Sequence, residues 1–204
     1  MRESCLFDTH AWGKNQGKDT AVPIRRRTYP PLSHFLPHPS GHLSAGNQNK
    51  KMPQPSYHAI DTHRDYLRTW LPFVDNMRTI ADEEAFLRQV LSAPAERNEP
   101  IFGIWNQQHE ICGLIGFHFS DFDNHRTELG YWLLPEYQHR GIITESVRKL
   151  CLWAVQEKEI KRIQIRCAVG NAASNAVPVR LGSSMREQNV AENCWLLENI
   201  QTYI

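Results

Sequence analysis

Charge of one sign is scarce in this chain. Its 23 Lys and Arg are set against 22 Asp and Glu, a formal net charge of +1 at pH 7. So even a balance gives no long-range field to draw in nucleic acid or an anionic membrane surface, and neither is an expected partner. Basic clusters such as Arg25-Arg26-Arg27 are short and local. Cysteine is sparse as well. Cys5, Cys112, Cys151, Cys167 and Cys194 are odd in number and scattered, with no Cys-x-x-Cys spacing. That argues against a disulfide framework and against a zinc site. Thiols on strand and helix patterns act as small apolar groups, which fits a reducing, cytoplasmic setting. No apolar run approaches the roughly 20 residues of a membrane helix, and the start of the chain lacks a signal-peptide apolar core.

Periodicity is missing from residues 1–54. Prolines cluster at Pro30, Pro31, Pro37, Pro39 and Pro53, with Gly, Ser, Asn and Lys between them. The expectation is a disordered or irregular arm over 1–54, followed by one folded domain over 55–204. A chain of 204 residues is long enough for such a domain to bury a proper core. His34, His38 and His42 recur every fourth residue, but Pro37 and Pro39 forbid the helix that would align them. A solvated tail is the reading, and no metal site is expected.

Pattern begins near Tyr57. Residues 58–71 read as a helix stopped by Pro72. Thr79-x-x-Asp82 resembles a capping box and opens a second helix, on which Ile80, Leu87, Val90 and Leu91 keep helical spacing. Ile101–Trp105 and Ile111–Phe119 read as a hairpin, and 127–134 as a further strand. A helix from Ile142 carries a core stripe of Ile143, Val147, Leu150, Cys151 and Ala154. Residues 162–169 alternate, with Ile163, Ile165, Cys167 and Val169 inward. Strand, helix, strand implies a right-handed parallel crossover. A helix over 172–181 follows, with Pro178 inside it and Gly182 at its end. Two weaker strands are expected over 188–192 and 200–204.

The chain is organised around Glu128–Glu145, ELGYWLLPEYQHRGIITE. A strand feeds a helix through the tight loop Gln138-His139-Arg140-Gly141. The first amides of a helix have no internal partner and carry partial positive charge, so such a junction can hold an anion. Gly141 allows close backbone approach, and Arg140 adds a fixed charge. A P-loop would need Gly-Lys-Ser/Thr, and a dinucleotide fold three spaced glycines. The loop has neither.

The pattern Gln-x-x-Gly-x-x-Thr-Glu after Gly-Tyr-Trp-Leu, with GNAASNAVPVRLG downstream, resembles the GCN5-related N-acetyltransferase (GNAT) superfamily, in its RimJ/RimL-type ribosomal-protein branch. The resemblance spans roughly residues 57–204 and is strongest from 127 to 182. It implies an α/β (α+β) acyl-CoA N-acyltransferase fold: a mixed, mostly antiparallel sheet with a central splayed parallel pair and helices on both faces. The strand that normally precedes the first helix has no convincing counterpart in residues 1–54.

The resemblance also implies acetyl-CoA as co-substrate and direct attack by a primary amine, with a ribosomal-protein N-terminal amine among the candidate acceptors. A small amine (polyamine or amino sugar) and a non-catalytic acyl-CoA-binding module are the alternatives. By resemblance, Gln138, His139, Arg140, Gly141, Ile142, Ile143 and Thr144 hold the pyrophosphate, and a backbone N–H near Leu133 faces the thioester oxygen. Asn171 contacts the pantetheine, and Ser174 protonates the leaving thiolate. Asn171 also suits a helix N-cap. Glu192 and Glu128 are both candidates for the base. His139 stands where the family has a glycine, and Ser183 where it has a phenylalanine. Partners beyond acetyl-CoA and the amine are not expected, and the assembly is a monomer or homodimer.

Overall fold

A computed structural model describes residues 42–44, 53–91, 99–106, 108, 110–188 and 191–198. The elements in chain order are β1 (His42–Ser44), α1 (Pro53–Thr62), α2 (Arg64–Leu67), α3 (Ile80–Leu91), β2 (Ile101–Trp105), β3 (Ile111–Asp121), β4 (Arg126–Leu133), α4 (Ile142–Lys158), β5 (Arg162–Ala168), α5 (Ala172–Arg180), β6 (Ser184–Gln188) and β7 (Glu192–Glu198). The strands form one seven-stranded sheet, ordered β1-β2-β3-β4-β5-β7-β6. Every neighbouring pair is antiparallel except β4 and β5. The α4 crossover between them makes that one parallel pair possible.

β4 is buried on both faces, because its alternate side chains feed two different cores. Leu129, Tyr131 and Leu133 pack with Val147, Leu150 and Ala154 of α4 and Val177 of α5. Trp132 and Leu134 pack with Ile60 of α1, Leu67 of α2 and Leu87 of α3. Helices therefore cover both faces, as expected. The α4 stripe read from the sequence is fully in the core, with Val147, Leu150 and Ala154 each 0% exposed. Complete burial of Val147 or of Leu150 is worth roughly 1.5–3 kcal/mol.

The parallel pairing is short. Its register runs Arg126↔Arg162, Thr127↔Ile163 and Glu128↔Gln164. Beyond that point β4 stays with β3 up to Gly113↔Leu133, and β5 stays with β7 up to Ala168↔Glu192. The sheet thus opens in its middle, between 129–133 of β4 and 165–168 of β5.

Several sequence-level expectations need correcting. The first helix begins at Pro53, breaks at His63 (φ −113°) and resumes as α2, and Pro72 opens a short 3₁₀ turn, Pro72–Asp75. Arg64 of α2 supports that turn by donating to the Val74 carbonyl and, just beyond it, to the Met77 carbonyl at 2.7 Å, ties that helical periodicity cannot reveal. Ile80 is 39% exposed rather than core, since it is the first residue of α3. Val169 is 40% exposed because β5 ends one residue before it. Of the strand expected over 188–192, residue 188 ends β6, residue 192 opens β7, and residues 189 and 190 lie outside the described residues. The one expected over 200–204 lies outside the described residues. A strand does occur within the stretch read as irregular: backbone 42–44 pairs with β2 at the sheet edge.

Candidate functional site

A groove of about 840 Å³ opens where β4 and β5 part. Its walls are Tyr131–Leu133 of β4, Arg166–Ala168 of β5, the 137–145 loop and helix start, and Asn171, Ser174 and Arg180 on α5. Tyr66 and Trp70, on and just after α2, close one side. All of the loop and pantetheine residues named from the sequence, Leu133, Gln138–Thr144 and Asn171, line this one groove, as does Ser174. Neither Glu128 nor Glu192 lines it.

The loop end is built for an anion. Gly141 is the N-cap of α4 with φ 75°, a left-handed conformation that glycine adopts without penalty. A Cβ built there meets nothing within 4 Å, so the position faces open space. No side chain caps α4. Its first internal bond is from the Glu145 N–H to the Gly141 carbonyl at 3.0 Å. The amides of Ile142, Ile143 and Thr144 therefore have no carbonyl one turn behind them, and they sit at the positive end of a 17-residue helix. His139, in the family's glycine position, also takes a positive φ of 59°, a conformation His tolerates better than most residues. Arg140 folds back to donate to the Glu136 carbonyl at 2.8 Å and lies over the Tyr137 ring. Gln138 reaches across the groove and donates to the Tyr66 hydroxyl.

At the other end, the β4 backbone is poised for a ligand. Leu134 N–H donates to the Cys112 carbonyl on β3 at 2.8 Å. Adjacent amides of an extended strand point to opposite sides, so the Leu133 N–H points into the gap toward β5. Across that gap, Asn171 caps α5 by accepting from Ser174 N–H at 3.0 Å. Ser174 Oγ lies 3.4 Å from the Tyr131 hydroxyl and 3.2 Å from Cys167 Sγ. Burial pushes the Cys167 thiol up to about 11, so at neutral pH it is a protonated neighbour and not a nucleophile.

Three groups were missed in the sequence. Tyr131 donates to the Ser174 carbonyl at 3.1 Å. Asn175 pins the start of α5: its amide donates to the Ala168 and Asn171 carbonyls, and its oxygen accepts from Asn193 and Trp195. Arg166 bridges the two candidate bases, with Nε 2.8 Å from Glu128 and Nη1 3.6 Å from Glu192. Only Asn171 and Ser174, three residues apart in GNAASNAVPVRLG, give a local signal in the sequence. The other partners come from separate strands.

A sheet that splays between one parallel pair, with a bare helix start at the mouth of the opening, defines the fold class of the acyl-CoA N-acyltransferases. Residues 54–184 match the family model described as "Acetyltransferase (GNAT) domain", and the chain belongs to that family. It is 46% identical over 72 residues to YdaF of Bacillus subtilis (strain 168) and 36% identical over 76 residues to the ribosomal-protein-serine acetyltransferase of Escherichia coli (strain K12). Those matches cover 35% and 37% of this chain, and only 39% and 42% of the relatives' own length. Among solved structures, the ribosomal alpha-N-protein acetyltransferase RimL in complex with coenzyme A superposes with a TM-score of 0.72 at 18% identity, over 80% of this chain and 97% of that one. The microcin self immunity acetyltransferase MccE in complex with acetyl-CoA and AMP gives 0.70 at 22% identity, over 78% and 92%. At such identities these two likenesses speak to the fold.

Proposed function

We propose that this chain is an acetyl-CoA-dependent N-acetyltransferase that moves the acetyl group to a primary amine by direct attack. One observation carries the reading. The β4–β5 pairing stops at Glu128↔Gln164, and the gap beyond it holds the free helix start at one end and Ser174 at the other. The amides of Ile142, Ile143 and Thr144 bind the pyrophosphate, and the residues of the loop flank it. The pantetheine lies between β4 and β5 and takes up backbone bonds that the two strands do not give each other. The Leu133 N–H polarises the thioester carbonyl where negative charge develops.

The amine nitrogen attacks the carbonyl carbon. A C–N bond forms, the C–S bond breaks, and the surplus proton of the amine passes to a carboxylate. The departing thiolate takes a proton from Ser174 Oγ, which recovers one from solvent. The assay is thiol release from acetyl-CoA with a panel of free-N-terminal peptides, a polyamine and an amino sugar, with products identified by mass spectrometry. An acetylated peptide N-terminus supports the ribosomal-protein acceptor named for the E. coli relative. An acetylated small amine keeps the chemistry but changes the acceptor. Acetyl-CoA binding without thiol release from any acceptor overturns the enzyme reading in favour of a binding module.

A further inference from the structure

Glu128 sits where the parallel pairing of β4 and β5 ends, and it joins three strands there. Its Oε1 is 2.8 Å from His118 Nε2 on β3. Its Oε2 accepts from Arg166 Nε on β5 at 2.8 Å and lies 3.5 Å from Gln164 Nε2. The residue is 6% exposed. Both oxygens of this carboxylate are thus committed to partners on β3 and β5. Arg166 is different. It is about one-third exposed, it lines the groove, and it reaches a fourth strand through Glu192 at 3.6 Å. Glu192 opens β7 directly opposite Ala168, itself a groove residue. The Phe119 ring lies against the Arg166 guanidinium, 5.8 Å from centroid to carbon, and limits its swing. Phe119 can do this because β3 bulges there, with φ 51° at Phe119 and a register shift between His118 and Asp121.

We propose that Arg166 is a positioning residue: anchored on Glu128, which His118 holds in turn at the apex of the splay, it holds Glu192 beside the groove, opposite Ala168, as the carboxylate that receives the amine proton. Glu128 is then the anchor and not the base. A guanidinium suits this task because its fork presents separate N–H groups to two acceptors at once, which an ammonium on a flexible stem does not. The inference rests on the acetyltransferase reading.

A double-mutant cycle on full-length protein tests it, with the fastest acceptor of the panel. Arg166→Gln lowers kcat by about 10–100-fold and leaves the KM for acetyl-CoA within about threefold, since the interaction is used in the chemical step. In the Glu192→Gln background the same change costs less than about threefold, because its effect runs through Glu192. Arg166→Lys falls between, and Glu128→Gln is milder than Glu192→Gln. If Arg166→Gln does not fold, Arg166→Lys carries the same cycle. Equal losses in both backgrounds, or a Glu128→Gln as crippling as Glu192→Gln, overturn the proposal while leaving the acetyltransferase reading intact. A wild-type chain that binds acetyl-CoA but acetylates nothing overturns that reading, and this one with it.

Discussion

The Tyr131 hydroxyl donates to the Ser174 carbonyl at 3.1 Å, and Pro178 explains why that carbonyl is available. In a regular helix, Ser174 O would accept from the amide four residues on. That residue is Pro178, which has no N–H. A proline in the interior of α5 thus opens a backbone acceptor, and a tyrosine from β4 fills it across the splayed gap. The bond fixes the distance between the two walls of the groove. Tyr131 in turn stands 3.4 Å from Ser174 Oγ. We expect Tyr131→Phe to destabilise the fold by about 1 kcal/mol, the usual scale for losing the partner of a part-buried group. Pro178→Ala restores the missing N–H, so it should cost measurably less in the Tyr131→Phe background than in the wild type. Denaturant unfolding of the four proteins of the cycle reads this directly, and additive costs would mean that the two residues are independent.

Ser174 itself should act in the chemical step. Its hydroxyl is part-buried in the groove, 3.2 Å from the Cys167 thiol, which burial keeps protonated at neutral pH. We expect Ser174→Ala to lower kcat by about 10²-fold, the low end for general acid–base catalysis. Acetyl-CoA affinity should be nearly unchanged, because the proton is delivered only as the C–S bond breaks. Steady-state kinetics with calorimetric binding separates the two. A parallel loss of affinity would place the hydroxyl in ground-state binding.

Gly141 offers a sharper separation of binding from folding. With φ at 75°, a Cβ added there meets no protein atom within 4 Å and faces the groove that a ligand would fill. Gly141→Ala should cost roughly 1–2 kcal/mol of stability, the penalty of a left-handed non-glycine residue. Gly141→Val should add little further clash with protein, yet weaken acetyl-CoA by more than about tenfold, a loss above about 1.4 kcal/mol. The check is the melting-temperature gain with saturating acetyl-CoA for each variant. Equal affinity across all three proteins would reduce Gly141 to a turn residue.

What could be read from the sequence was what is local in it. The loop, the α4 stripe, the β2–β3 hairpin and the Asn171 cap each depend on residues within a few positions of one another. Thr79 and Asp82 are a clear case: the backbone N–H of Thr79 donates to the Asp82 carboxylate at 2.8 Å, as the spacing suggested. The misses are non-local. His118, Glu128, Arg166 and Glu192 stand on four strands, and nothing in their spacing announces that they meet. Pro178 reads as a kink until Tyr131 is placed beside it. β7 was misplaced because Trp195-Leu196-Leu197 are all buried, so the strand shows no alternation.

One buried carboxyl lies outside the groove and makes stability itself pH-dependent. Glu83 on α3 is 1% exposed and takes its hydrogen bond from the Ser56 hydroxyl on α1. Burial raises it from 4.5 to about 7, with the Ser56 bond opposing. The sign follows from proton counts. Between those two values the folded chain holds a proton that the unfolded chain has released, so stability falls as pH rises. The contribution is complete below about pH 4.5 and lost once the pH passes about 7. In full it is roughly 3 kcal/mol, at about 1.4 kcal/mol per pH unit. Glu83→Gln keeps the shape and an acceptor for Ser56 but cannot ionise. We expect it to match the wild type near pH 5 and to become the more stable protein above pH 7, as the wild type is forced to place a charge between α1 and α3. Melting temperatures of both proteins across pH 5–8 decide the matter: a difference that stays constant over that range would mean that Glu83 does not titrate there.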